Sequence, residues 1–150
     1  MPSPLPHEAP PRTQLAALCW RKGERGREVL LVTSSTGRWI LPKGWPIGGL
    51  KPPRVALTEA WEEGGVARGK AQRRPLGAYL AVKRSAAGDD EPVRHEVYAI
   101  KVREALDAFP EAHRRDRLWL PPLEAAAVVQ EDGLRDILVE FAREAAPSRP

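Results

Sequence analysis

One cysteine, one methionine and 6% aromatic residues are the scarcities of this 150-residue chain. Cys19 alone excludes an internal disulfide framework and a cysteine-rich zinc centre. No run approaches the roughly 18 apolar residues a membrane helix needs. The start of the chain has no basic stretch followed by an apolar one, so no secretory signal is expected. G-x4-G-K-[ST], HExxH and G-x-S-x-G are all missing, which removes the P-loop, zincin and esterase readings. A strong charge imbalance is missing too. Lys and Arg number 24 against 20 Asp and Glu, a formal charge of +4, and no basic stripe marks a nucleic-acid groove. The expectation is one domain of the reducing cytoplasm, with a small-molecule partner rather than nucleic acid or membrane.

Proline is what the chain has in excess, at 16 residues. Five of the first eleven residues are proline, so residues 1–12 read as an extended, flexible arm. Residues 146–150 read as a flexible tail. Between them lies one domain, residues 13–145. Strand signals fall at Gln14–Trp20, Glu28–Thr33, Trp39–Leu41, Leu76–Val82 and Val93–Val102, with a last one at Trp119. Arg21–Arg27, with Gly23 and Gly26, suits a hairpin turn, and Ser85–Glu91 a second turn. Helix signals fall at Pro53–Gly64, Leu123–Val129 and Leu134–Ala145. Proline at the start and glycine at the end frame the first of these. The last repeats apolar residues from Leu134 to Ala145 at helical spacing. Strands interrupted and then closed by helices predict an α/β fold, a mixed β-sheet with helices on its faces.

The chemistry concentrates in Trp39–Val66. On a helix Glu59, Glu62 and Glu63 are i, i+3 and i+4, so they share one side, while Leu57, Ala60, Trp61 and Gly64 fall on the other. Three neighbouring carboxylates repel one another, and a hard divalent cation such as Mg2+ or Mn2+ relieves that. A solvated acidic face accounts for the same residues, and on their own they leave both readings open. The preceding loop adds Gly44, Gly48 and Gly49, and Arg38, Lys43 and Lys51 contribute positive charge. Cations beside carboxylates suit a polyphosphate bridged by a metal. Arg38 and Lys43 are the candidate phosphate contacts, and Trp45 the candidate stacking surface.

These residues resemble the signature of the Nudix hydrolases, G-x5-E-x7-R-E-U-x-E-E-x-G-U, where U is aliphatic. Gly44, Glu59, Glu62, Glu63, Gly65 and Val66 fall on it without a gap, and Ala60 is a weak match to the first U. The Leu41–Gly44 lead-in (LPKG) is similar to the branch acting on diadenosine polyphosphates and inositol pyrophosphates. The resemblance implies a Nudix-type α/β/α sandwich. It implies a metal-dependent pyrophosphohydrolase acting on a nucleoside diphosphate derivative, a dinucleoside polyphosphate or an inositol pyrophosphate. Mg2+ or Mn2+ would be held by Glu59, Glu62, Glu63 and the backbone carbonyls of Lys43 and Gly44. Glu59 and Glu63 would be catalytic, and Arg38, Lys43, Trp45 and Lys51 would bind substrate. The base would be Glu59 or a residue of a later loop, for which Asp89, Asp90 and Glu91 are candidates.

Two signature positions depart. Leu50 replaces the first Glu and Thr58 replaces the Arg. The resemblance implies that these two normally support the loop and helix as an ion pair. Losing both leaves no orphan charge, so Leu50 is expected to pack and Thr58 to bond locally. The variant is read as active, with a non-catalytic nucleotide sensor as the alternative. His95 is read as structural, His7 and His113 as solvated, Trp61 as core. The run Arg114, Arg115 and Arg117 is open to contact with a polyanionic substrate or with nothing, and the second is the preferred reading. Monomer and homodimer both stay open.

Overall fold

The computed structural model describes residues 10–83 and 88–145. Most of the expected arm, with His7, lies outside those residues, as do the tail and positions 85–87 of the second turn. In chain order the elements are β1 (Arg12–Gly23), β2 (Gly26–Thr33), β3 (Trp39–Ile40), β4 (Lys43–Gly44), α1 (Pro52–Gly64), β5 (Val66–Ala71), β6 (Gly77–Lys83), β7 (Glu91–Ala105), β8 (Arg117–Leu120), α2 (Pro122–Val128) and α3 (Asp132–Ala145). Strand β1 begins at Arg12, the last residue assigned to the arm.

The sheet is mixed, as expected. Its order is β3-β2-β1-β7-β5, with β4 also on β1, β6 on β7 and β8 on β2. Among the described residues only β1 and β7 run parallel, in register from Arg12 opposite Val93 to Trp20 opposite Lys101. Strand β1 turns into β2 through Glu24 and Arg25, because Gly23 pairs with Gly26 and Gly26 adopts φ +98. β1 and β2 alternate their side chains between the two sheet faces. Ala16, Leu18, Val29 and Leu31 join one core with Tyr79, Val97, Leu134, Leu138 and Phe141. Leu15, Ala17, Cys19, Leu30 and Val32 join the other with Val55, Ala56 and Ala60. Helix α1 therefore covers one face and α2 and α3 the other, which is the α/β/α sandwich.

Two elements were not expected. β5 (VARGKA) is exposed over half of its length and lacks an apolar alternation. It pairs with β7 through an irregular register. β4 is only two residues long, yet it places Lys43 opposite Ala16 and Gly44 opposite Leu15. That short pairing ties the glycine loop to the sheet in front of α1.

Candidate active site

Helix α1 starts on Pro52 and Pro53, whose fixed φ suits a first turn and whose missing N–H groups are not needed there. It ends at Gly65, with φ +76 in the left-handed region. A Cβ at Gly65 would lie 2.4 Å from the Leu106 carbonyl oxygen, so only glycine fits this stop. Arg117 Nη1 donates to the carbonyls of Gly64 and Leu106 and fastens the helix end to the segment after β7.

The helix does not divide as its sequence pattern predicts. Its buried residues are Val55, Ala56, Ala60, Glu63 and Gly64. Glu63 thus belongs to the side that faces the sheet, and its exposure is only 7%. Trp61 is half-buried and joins neither core cluster, which corrects its reading as core. The departure has a visible cause: polar partners meet the carboxylates on the inner side. Lys43 N–H donates to Glu63 Oε1 at 3.2 Å. Arg115 Nη2 lies 3.3 Å from Glu63 Oε2.

Glu59 and Glu63 come together as a carboxyl pair. The contact between the two carboxyls favours the protonated form of Glu59 and the ionised form of Glu63. Burial first, then the charge of Glu63, pushes the Glu59 carboxyl up to about 8. Burial also raises Glu63, against the opposing pull of Arg115. Gly44 makes room for Glu59. A Cβ there would lie 2.4 Å from Glu59 Cδ and 2.5 Å from Oε2. Glu62 is half-buried, one position away. Among the described residues, no three Asp, Glu, His or Cys side chains converge into a ready-made metal centre. The structure therefore unites two of the three expected carboxylates.

Beside the pair opens a cavity of about 220 Å³. Arg38 and Lys43, the candidate phosphate contacts, line it together with Lys83 and Arg115. Gln14, Glu63, His95 and Glu131 complete its polar wall. Burial lowers the Lys43 ammonium, whose Nζ reaches Gln14 Oε1 at 3.5 Å. Trp45 and Lys51 do not line this cavity. The Arg12 guanidinium lies 4.1 Å from the Trp45 ring centroid, so one face of that indole already has a cationic partner. Lys51 is exposed and stands at the start of α1. Asp89, Asp90 and Glu91 are also absent from the cavity wall, and Glu91 pairs with Arg12 at 2.7 Å.

Arg115 is the residue that sequence reasoning passed over. Far from touching nothing, its side chain is 17% exposed. Nε donates to Glu111 Oε1 at 2.8 Å and Nη1 to the Thr33 carbonyl at 2.6 Å, while Nη2 faces Glu63. The chain thus brings a distant arginine to the carboxylates where its own Thr58 offers none. Thr58 Oγ1 donates to the Arg54 carbonyl, the expected local bond. Leu50 does not pack; it is 41% exposed.

No family model matches the chain. Curated relatives do. Human diphosphoinositol polyphosphate phosphohydrolase 3-beta is 36% identical over 123 residues, 79% of this chain and 70% of that protein. This chain is a member of the Nudix hydrolase family. Nudix hydrolase 12 of Arabidopsis thaliana is 32% identical over 120 residues, which cover 77% of this Nudix chain and 59% of the plant protein. Solved structures share the fold. An Ap4A hydrolase from C. elegans in a binary complex superposes with a TM-score of 0.65 at 17% identity, covering 89% of this chain and 96% of that one. The Nudix domain of NrtR from Shewanella oneidensis, solved with ADP ribose, gives 0.65 at 21% identity, covering 92% and 90%.

Proposed function

We propose that this Nudix hydrolase is a metal-dependent pyrophosphohydrolase that cleaves a diphosphate linkage in a small phosphoanhydride. The observation that carries the reading is the Glu59–Glu63 pair set beside a cavity walled by Arg38, Lys43, Lys83 and Arg115. Nudix hydrolases generally work with divalent cations. The donor set here fits one. Two neighbouring carboxylates stand together, Glu59 against a glycine with no Cβ, and oxygen ligands of this kind suit Mg2+ or Mn2+. Glu59 and Glu63, with the Lys43 and Gly44 carbonyls and with Glu62 at the neighbouring position of α1, are the residues that would hold it. A bound divalent cation supplies an acidified water and neutralises charge on phosphoryl oxygens.

The chain's own groups do the rest. Lys43 and Arg38 hold the phosphate oxygens in the cavity. Lys43 N–H and Arg115 fix the two oxygens of Glu63, so this carboxylate keeps one orientation. Glu59 sits beside Glu63, and with a bound cation offsetting their mutual repulsion its carboxylate would be free to accept a proton from an attacking water. The cytoplasm is the setting proposed for this activity.

The test is a panel of ADP-ribose, diadenosine tetraphosphate and a diphosphoinositol polyphosphate, each incubated with Mg2+ and with EDTA. Product release should require the cation and fall at least about 100-fold in Glu63→Gln. A folded protein that binds these compounds and turns over none of them would be a sensor instead.

A further inference from the structure

Three buried polar atoms find no hydrogen-bond partner among the described residues: His95 Nδ1, Glu131 Oε1 and Tyr79 Oη. They gather at one corner of the molecule. His95 and Glu131 both line the cavity beside the carboxyl pair. Tyr79 stands edge-on against the His95 ring, centroids 4.9 Å apart. The corner is built by close packing. A Cβ at Gly133 would lie 2.4 Å from Tyr79 Cβ, so glycine lets the first turn of α3 settle on the tyrosine. Arg135 N–H donates to the Glu131 carbonyl and keeps Glu131 at the head of that helix. His95 is 3% exposed. Burial and the nearby Lys43 hold its pKa down to about 4, so the imidazole is neutral.

Buried polar groups left without partners are uncommon and usually await a ligand or water. Their chemistry says what the ligand must offer. An ionised carboxylate only accepts hydrogen bonds, and a neutral imidazole nitrogen accepts or donates. Arg38 and Lys43 are the charges that act on Glu131, offsetting the upward push of burial on its carboxyl, and Lys83 shares the cavity, so phosphates held by these cations would set the organic part of a ligand against Glu131 and His95. From this geometry we infer that Glu131 and His95 form a donor-selecting subsite. It reads a free hydroxyl or amino group on the organic part of the substrate, close to its phosphates, and it disfavours a polyol whose hydroxyls are all phosphorylated. A fully phosphorylated ring brings only acceptors and sets negative charge against Glu131. The chain would therefore differ in ligand choice from what the names of its inositol-phosphate relatives describe. This inference rests on the phosphoanhydride reading of the cavity and adds the class of its organic moiety.

The probes are ADP-ribose, which carries free hydroxyls and an amino group, and inositol hexakisphosphate, which carries neither. Their affinities are measured by calorimetry in EDTA, where no metal-dependent turnover interferes. The parent protein should prefer ADP-ribose. Glu131→Gln is isosteric and should keep the thermal midpoint, while weakening ADP-ribose about 10-fold and tightening inositol hexakisphosphate. Glu131→Ala should shift the preference in the same direction. A parent that binds inositol hexakisphosphate more tightly, that fails to bind ADP-ribose, or whose two affinities move by the same factor in Glu131→Gln would overturn the subsite. Loss of turnover on the Mg2+ panel with the ADP-ribose preference intact would sink the hydrolase reading and leave the subsite standing.

Discussion

Replacing Arg115 by leucine should destabilise the protein more than any other single arginine change at the site. The guanidinium spans three partners: Glu63 at 3.3 Å, Glu111 at 2.8 Å and the Thr33 carbonyl at 2.6 Å. Side-chain exposures are 17% for Arg115, 9% for Glu63 and 16% for Glu111, so water cannot easily replace the lost charge. Removing one member of such a pair strands the other, at a cost of about 3–5 kcal/mol. Some solvent reaches these groups, and about 3 kcal/mol is the working figure. For a chain of this length that corresponds to a fall in Tm of roughly 6–12 °C. Urea unfolding in EDTA measures it directly. In saturating Mg2+ the loss should shrink, because the cation gives Glu63 a second positive partner. Arg115→Lys should fall between, since it keeps the charge and loses the fork. A change below about 0.5 kcal/mol in EDTA would refute the claim that this arginine holds Glu63.

Other outcomes follow from the same geometry. In EDTA, Glu59 carries a folded pKa of about 8 against 4.5 in the unfolded chain. Its contribution is complete below pH 4.5 and is lost as pH rises through 8, so Glu59→Gln should be more stable than the parent at pH 9, by about 1–2 kcal/mol after allowing for its half-exposure. That advantage should vanish near pH 5 in denaturation curves. His95 works in the opposite sense. Its folded pKa of about 4 lies below the usual 6.5, so its contribution is complete above pH 6.5 and is lost on acidification toward pH 4. A parent whose stability stayed flat from pH 7 to 4 would contradict that placement. Gly44→Ala should displace the Glu59 carboxylate, lowering turnover at least about 10-fold while thermal melts move by only about 1 kcal/mol. Leu50→Glu should leave urea midpoints within about 0.5 kcal/mol, because the leucine is exposed.

Local chemistry made much of this molecule legible in its sequence. Proline and glycine framed α1, and apolar spacing marked α3, because both signals act within a few residues. The strands with apolar runs were readable for the same reason. β5 was not, since an exposed strand of Arg, Gly and Lys is held by the edge of β7 rather than by its own pattern. Glu59 and Glu63 were identified, but the burial of Glu63 was not. Helical spacing counts charge as outward-facing, and here Lys43 N–H and Arg115 invite it inward. Arg115, His95 and Glu131 join the site only through folding. Each lies on a segment whose own sequence carries no signal of a ligand. The nearest available hint was the missing signature arginine at Thr58, which left a cationic role to be filled from elsewhere.

The two sheet faces hold separate cores, one around α1 and one around α3. The acidic pair is mounted on the first. Tyr79, and the helix that seats Glu131, belong to the second. A substitution in the second core can thus reshape what the cavity accepts while the first core keeps its carboxylates in place. Changes on opposite faces without shared partners should then add nearly independently. For an engineer, ligand choice and reactive chemistry become two separately adjustable dials in one small domain, with Lys43 the position where turning one begins to move the other.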